Sequence, residues 1–254
     1  MDLSVVVPVH NEAENVAPLA AEIAAALTNA YGGKLDYEIV YVDDGSRDGT
    51  AEALAAAAGT HARLRVIRHD TCCGQSRAVI SGVKAARAAI VATLDGDGQN
   101  DPAGIVALWE RMTAAGSPDE NLVVCGHRTN RKDTGWRRFA SKVGNGVRAA
   151  LLGDAAPDSG CGLKLFAREA FLDLPRFDHM HRFLPPLFLR QGREVVSVEV
   201  NHRPRERGAS KYGVFDRLWV GIWDLMGVMW LQRRSRYPGQ AKETSPGGTN
   251  AKED

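Results

Sequence analysis

Every residue from Leu3 to Val9 except Ser4 is apolar or proline, and the run stops abruptly at His10-Asn11-Glu12. An unbroken apolar run this short fits a strand buried on both faces of a parallel sheet, not the half-wet strand of an antiparallel one. The chain then alternates. Glu14 to Asn29 has helical spacing, with Val16, Leu19, Ala20, Ile23 and Leu27 on one face. Tyr37 to Val42 reads as a second strand, Thr50 to Ala58 as an alanine-rich helix and Leu64 to Arg68 as a third strand. Gln75 to Ala89 reads as a helix and Ile90 to Leu94 as a fourth strand. Asp101 to Ala114, with Pro102 in its first turn, is a further helix, and Leu122 to Cys125 a fifth strand. This rhythm predicts an α/β fold with a mostly parallel central sheet and helices on both faces. Ligands on such sheets sit beyond the carboxyl ends of the strands, so chemistry is expected right after Val9, Val42, Arg68, Leu94 and Cys125.

The second half is less regular. Trp136 to Leu152 is expected as a helix, Leu163 to Phe166 and Glu194 to Val200 as strands, and Pro238 to Asp254, with no large apolar residue, as a disordered tail. The organisation expected is one α/β domain over 1–212, an amphipathic helix over 213–236 and the tail over 237–254. Thirty-two basic residues against 31 acidic ones, a net charge of +1, argue against a nucleic-acid binder. The four cysteines lack the paired spacing of a zinc site and are too few for a disulfide scaffold, which points to a reducing, cytosol-facing location. The N-terminus has neither the basic stretch nor the apolar run of a signal peptide. No uncharged apolar run approaches the roughly 20 residues that span a bilayer.

The segments after the strands carry the functional signal. Asn11, in Pro8-Val9-His10-Asn11-Glu12, reads most simply as a helix cap. In Asp43-Asp44-Gly45-Ser46-Arg47-Asp48-Gly49-Thr50 a capped polar turn accounts for Asp48. It leaves the adjacent charges of Asp43 and Asp44 costly unless a ligand base or ribose hydrogen-bonds to them. Thr71-Cys72-Cys73-Gly74-Gln75-Ser76 opens a helix, so its amides are candidates to face a phosphate or ribose. In Asp95-Gly96-Asp97-Gly98-Gln99-Asn100-Asp101-Pro102, two carboxylates at i and i+2 on a flexible turn can converge on one hard cation, Mg²⁺ or Mn²⁺, shared with phosphates. A calcium loop does not fit: with Asp95 as position one, position six is Asn100 and position twelve is Val106. An Asx-rich turn is the plain alternative. The dinucleotide and P-loop glycine fingerprints are absent.

Val-Val-Val-Pro-Val-His-Asn-Glu at 5–12, Val-Asp-Asp-Gly-Ser at 42–46, Gly-Gln-Ser at 74–76 and Asp-Gly-Asp-Gly-Gln at 95–99 together resemble glycosyltransferase family 2, inverting enzymes with a GT-A fold. The resemblance covers about Leu3 to Lys211. Asp158-Ser159-Gly160-Cys161-Gly162-Leu163-Lys164-Leu165-Phe166, His181-Arg182-Phe183-Leu184-Pro185 and Arg207-Gly208-Ala209-Ser210-Lys211-Tyr212 are most similar to the dolichol-phosphate mannose synthases and their bacterial polyprenyl-phosphate relatives. The resemblance implies that Pro8, Val9, Glu12, Asp43, Asp44, Gln75, Ser76, Asp95 and Gly96 bind a nucleotide sugar. Asp95, Asp97 and Gln99 would hold Mg²⁺ or Mn²⁺. Arg128, Arg138, Arg207, Ser210 and Lys211 would receive the acceptor phosphate, with Asp97, Arg128 and Lys211 the catalytic set. Two departures stand out: His10 occupies a position where mannose synthases commonly have tyrosine, and the pair of C-terminal transmembrane helices of many bacterial relatives is missing.

The chemistry agrees with a lipid-phosphate acceptor. A hydroxyl acceptor needs a general base, whereas a phosphate monoester, with a second pKa of about 6, is already ionised. Cations to guide it then matter more. Arg128, Arg131, Lys132, Arg137, Arg138, Lys142 and Arg148 lie close together against Asp133 alone, and Arg203, Arg205, Arg207 and Lys211 form a second cluster. A solvated basic helix face accounts for Arg131, Lys132 and Arg148. Further on, Phe215, Leu218, Trp219, Ile222, Trp223, Met226, Met229 and Trp230 recur at three- and four-residue steps, with Asp216, Arg217 and Asp224 off the stripe and Arg233, Arg234 and Arg236 following. This fits a helix lying in the interface on the inner face of the cell membrane; the alternative is a core helix or the contact of a homo-oligomer. Two rival functions remain: a family 2 enzyme with a hydroxyl acceptor, for which Asp158 is the available base, and a non-catalytic nucleotide-sugar binder, which would not need the full Asp95/Asp97 turn.

Overall fold

The structure is a computed structural model that describes residues 1–128, 146, 151–154, 157–204 and 214–234, with 214–220 as backbone alone. The expected alternation is present: β1 (Leu3–Val9), α1 (Ala13–Tyr31), β2 (Tyr37–Asp43), α2 (Thr50–Thr60), β3 (Leu64–Arg68), α3 (Gln75–Ala85), β4 (Ile90–Thr93), α4 (Ala103–Met112) and β5 (Leu122–Arg128). Then come β6 (Lys164–Ala167), α5 (Arg168–Leu172), a 3-10 turn (Met180–Arg182), α6 (Leu184–Arg190), β7 (Glu194–Val200) and α7 (Val214–Arg234). Of the helix expected over Trp136–Leu152, only Gly146, Leu151 and Leu152 are described, all helical.

One sheet runs in the order β3-β2-β1-β4-β6-β5-β7. β6 is antiparallel to both its neighbours, and the other pairings are parallel. β1 and β2 are buried at every position, which is why their sequences run apolar without alternation. α1 packs on α2 and α4, whereas α3 packs on α5 and the 3-10 turn, so both faces are covered. The chain moves outward from β1 to β2 and β3, then returns through α3 to place β4 on the other side of β1. Strand order reverses there, and a crevice opens at the carboxyl ends of β1 and β4.

Several boundaries differ from expectation for identifiable reasons. Asn11 does not cap α1: it sits at φ 54°, its side-chain oxygen accepts from the Arg47 amide at 2.8 Å, and α1 starts at Ala13. α3 ends at Ala85, four residues early, because the next segment is committed to Glu38: the Arg87 amide donates to Glu38 Oε1 at 2.7 Å. Ser4 Oγ donates to the same oxygen at 2.7 Å, and Arg65 Nη1 lies 2.6 Å from Oε2. Burial alone would raise the Glu38 pKa, but these hydrogen bonds and the Arg65 charge outweigh it and hold the carboxyl below the usual range.

Glu38 therefore stabilises the fold above the unfolded carboxyl value of about 4.3, and its contribution disappears as pH falls through the lowered native value. Glu38→Ala would strand Ser4, Arg65 and the Arg87 amide. It is expected to cost about 3 kcal/mol in urea unfolding at pH 7 and clearly less near pH 3. A loss below about 1 kcal/mol at pH 7 would contradict this role.

Candidate active site

The crevice begins at Pro8. Leu94 donates its amide to the Val6 carbonyl at 3.0 Å, so even-numbered residues at the end of β1 face β4. Pro8 has no amide to offer there, and the β1–β4 pairing stops at Val6–Thr93, while β1–β2 pairing continues to Val9–Asp43. The Asp95 turn then folds over the exposed end of β1. A Cβ on Gly96 would lie 2.7 Å from the Pro8 carbonyl oxygen and 2.4 Å from Val9 Cγ1, so only glycine allows that approach.

On the β2 side, Asp43 and Asp44 have separate duties. Asp43 Oδ1 accepts from the Ser46 amide at 2.9 Å; Oδ2 is buried without a hydrogen-bond partner among the described residues, with Arg68 Nε at 3.4 Å. Asp44 is occupied by the protein itself. Its Oδ1 accepts from the Cys73 amide (2.9 Å) and His69 Nδ1 (2.7 Å), and its Oδ2 from the Gly74 amide (2.7 Å) and the Cys72 thiol (3.3 Å). Burial works against its charge, yet these donors together hold its pKa below the ordinary value. This corrects two expectations: the amides of Cys73 and Gly74 face Asp44 instead of a phosphate, and Asp44 needs no ligand to offset its charge. Gly45, at φ 65°, lets the turn pass where a Cβ would meet the Thr71 carbonyl carbon at 2.5 Å.

His10, Asn11, Gly45, Ser46, Arg47, Arg68, Asp70, Thr71 and Cys72 line a cavity of about 300 Å³ beyond β1, β2 and β3. His10 is held in its wall by Nδ1–H donating to the Asp44 carbonyl at 2.8 Å. The loop that carries Cys72 continues to Gln75, whose Nε2 donates to Asp95 Oδ1 at 2.8 Å, so one segment joins the cavity to the Asp95 turn.

Asp95 is boxed in. Asn100 Nδ2 donates to its Oδ2 at 3.2 Å, and a Cβ on Gly162 would lie 2.1 Å from that oxygen. Asp97 Oδ1 accepts from the Gln99 amide at 3.1 Å, so the Asx turn weighed against a cation site is present as well. Burial first, and then the charge of Asp97, push the Asp95 pKa up; Lys164, Asn100 and Arg128 work in the opposite direction. Two carboxylates that repel at one turn suit a divalent cation, with Gln99 the expected third ligand. Lys164, only 2% exposed on β6, donates from Nζ to the Cys161 carbonyl.

Other expected residues are turned to different partners. Arg128 forms a fork with Asp158, Nε to Oδ2 at 2.6 Å and Nη2 to Oδ1 at 2.8 Å, although it was expected to face the acceptor. Ser76 accepts from the His181 amide at 3.2 Å and donates to His181 Nδ1 at 2.7 Å. Burial, followed by nearby cations, takes the His181 pKa down to about 3, so its ring is neutral at pH 7. Glu12 Oε2 accepts from Asn15 Nδ2 at 2.7 Å. Arg138, Arg207, Ser210 and Lys211 lie outside the described residues. His69, Asn100, Gly162, Lys164 and His181 were assigned no role in the sequence. Four of them stood inside quoted motifs, but only the pairing of β4 with β6 shows that 162–164 meet Asp95.

α7 has two apolar faces. Val228 is buried and Leu225 and Met229 pack on the core. Asp224, expected off the apolar stripe, turns inward, its Oδ2 3.0 Å from His179 Nδ1. Ile222, Trp223 (70% exposed), Met226 and Trp230 (60% exposed) face outward. Among the described residues no helix is long and apolar enough to cross a membrane.

The profile of Glycosyl transferase family 2 matches residues 4–174. The chain is 33% identical over 243 residues to dodecaprenyl-phosphate galacturonate synthase of Rhizobium johnstonii, covering 94% of this chain and 70% of that protein. It is 37% identical over 229 residues to undecaprenyl-phosphate 4-deoxy-4-formamido-L-arabinose transferase of Pseudomonas paraeruginosa, covering 89% and 65%. It thus spans about two thirds of the length of these curated relatives. Among solved structures, mannosyl-3-phosphoglycerate synthase from Rubrobacter xylanophilus superposes with a TM-score of 0.67 at 16% identity, over 95% of this chain and 79% of that one. Glucosyl-3-phosphoglycerate synthase from Mycobacterium tuberculosis, in complex with Mg²⁺ and uridine diphosphate, gives 0.62 at 18% identity, over 91% and 79%. Both likenesses establish the fold.

The packing of Gly162 on Asp95 yields a direct test. Gly162→Ala would drive a methyl group into the carboxylate. It is expected to weaken Mn²⁺ binding by at least about tenfold in calorimetric titration; unchanged affinity would mean that the observed position of Asp95 is not required.

Proposed function

The chain belongs to glycosyl transferase family 2, and from that membership we propose that it transfers a sugar from a nucleotide-sugar donor to a polyprenyl phosphate at a membrane surface. The donor's nucleoside would occupy the cavity lined by His10, Gly45 and Arg68, with Asp43 buried behind it, its Oδ1 on the Ser46 amide and its Oδ2 3.4 Å from Arg68 Nε. Its diphosphate would lie toward Asp95 and Asp97. A Mg²⁺ or Mn²⁺ ion held there by Asp95, Asp97 and Gln99 would neutralise the charge that develops on the leaving diphosphate. Gln75 and Asn100 orient Asp95, and Asp44 acts at one remove by fixing the loop that carries Gln75.

The observation that carries the acceptor half of the reading is the Arg128–Asp158 fork. Asp158 is the carboxylate a hydroxyl acceptor would need as its base, and here both its oxygens are engaged by a guanidinium that stabilises the ionised form. A phosphate acceptor needs no base, because its own oxygen attacks the anomeric carbon as the diphosphate departs on the opposite face. Arg138, Arg207, Ser210 and Lys211 are proposed to receive that phosphate. The names of the two relatives point to the same acceptor class.

The outward face of α7 supports membrane contact. Trp223, Met226 and Trp230 would enter the headgroup region at the inner face of the membrane while Arg233 and Arg234 meet anionic lipid, making attachment peripheral.

Purified protein with Mn²⁺, a panel of nucleotide sugars and polyprenyl phosphate is expected to yield a lipid-linked sugar; transfer to glycan hydroxyls with no use of polyprenyl phosphate would overturn the acceptor assignment. Asp97→Ala should lower kcat by at least about 100-fold, read by radiolabelled sugar transfer. Near-normal turnover would remove the cation site from the mechanism. The Trp223→Ala/Trp230→Ala pair should reduce co-sedimentation with anionic liposomes by at least about tenfold, whereas unchanged sedimentation would assign that face to another contact.

A further inference from the structure

Beside the donor cavity stands a second group of ligating side chains with a different chemistry. Asp44 from the end of β2, His69 from the end of β3 and Cys73 from the loop before α3 place a carboxylate oxygen, an imidazole nitrogen and a thiol sulfur within 4.8 Å of one another. Among the described residues no other group of three or more His, Cys, Asp or Glu side chains comes together in this way. Cys72 adds a second thiol, in contact with Asp44 Oδ2 at 3.3 Å.

We propose that Asp44, His69 and Cys73, with Cys72 alongside, bind a thiophilic divalent cation of the zinc class at a site separate from the Asp95/Asp97 turn. A mixed oxygen, nitrogen and sulfur set favours zinc over magnesium, which takes oxygen ligands almost alone. The donors of a tetrahedral zinc ion stand roughly 3.3–3.8 Å apart. Asp44 Oδ1 and His69 Nδ1, now 2.7 Å apart, would open slightly, and the exposed Cys73 side chain would swing inward.

The supporting contacts a metal site needs are already in place. Ser81 Oγ lies 2.8 Å from His69 Nε2 and fixes the ring, so Nδ1 is the nitrogen turned to the cluster. The amides of Cys73 and Gly74 keep donating to Asp44, which orients the carboxylate and favours its charged form. Exposed Cys73 provides the entry path. Binding would release the thiol proton of Cys73 to solvent and shift the single proton of the neutral His69 ring from Nδ1 to Nε2, with no change of oxidation state. His69 Nε2 would then carry its proton and donate to Ser81 Oγ. The three positions are 25 and 4 residues apart, so the fold and not a paired-cysteine motif brings them together.

The test uses the full chain in excess Mg²⁺, so that the carboxylate turn is occupied. Co²⁺, as a spectroscopic stand-in for Zn²⁺, is expected to give a thiolate-to-metal charge-transfer band that saturates at one equivalent and is displaced by Zn²⁺. Cys73→Ser should weaken that binding by at least about tenfold, and Asp97→Ala should leave it unchanged. In unaltered protein, Zn²⁺ but not Mg²⁺ should protect Cys73 from iodoacetamide, mapped by mass spectrometry. A missing band, a band indifferent to Cys73→Ser, or equal alkylation with and without Zn²⁺ would overturn the proposal and leave the cluster as a hydrogen-bonded clasp.

Discussion

The missing amide of Pro8 marks the point at which the sheet opens a crevice. A central strand of a parallel sheet is normally paired on both edges along its length, and proline there would leave a break. In this chain the break coincides with the departure of β4, whose pairing with β1 ends at Thr93. The turn of Asp95 to Gln99 can then cross the carboxyl end of β1, and the reversal of strand order adds the space between β1 and β4. The cavity lined by His10, Gly45 and Arg68, the Asp95 turn and the loop that joins them all lie at this one edge of the sheet.

Charge at that edge is divided by function. Asp44 is surrounded by four donors and stays ionised as a structural anchor, whereas Asp95, with one donor on each oxygen, is buried beside Asp97 and is destabilised as an anion. Neighbouring carboxylates on one sheet edge thus have opposite shifts. The one surrounded by amides shapes the loop, and the one under strain suits a cation. Arg128 and Asp158 compensate each other in the same region, and in the proposed reaction the acceptor brings its own negative charge.

The sheet was legible because its strands are buried on both faces and therefore apolar without interruption, as in β1 and β2. The turn at Asp95 was legible because its carboxylates and glycines are adjacent in sequence. Contacts that depend on distant pairing were not. Asp44 gave no sign that its partners stood at 69 and 72–74, nor Ser76 that it would hold His181, 105 residues away. The inward turn of Asp224 on α7 was not legible, because helical periodicity finds an apolar stripe without saying which face meets the protein; the buried face is defined by Val228 and by His179 across it.

In the proposed reaction the acceptor supplies its own nucleophilic charge, so that no protein base takes part. The pH dependence of kcat for transfer to polyprenyl phosphate, compared between the unaltered chain and Asp158→Asn, tests this most directly. The rate is expected to rise through about pH 6 as the phosphate loses its second proton and then to stay level, with the same shape in both proteins even if Asp158→Asn is slower throughout. A rising limb present in the unaltered chain and lost in Asp158→Asn would identify Asp158 as a general base and contradict the account.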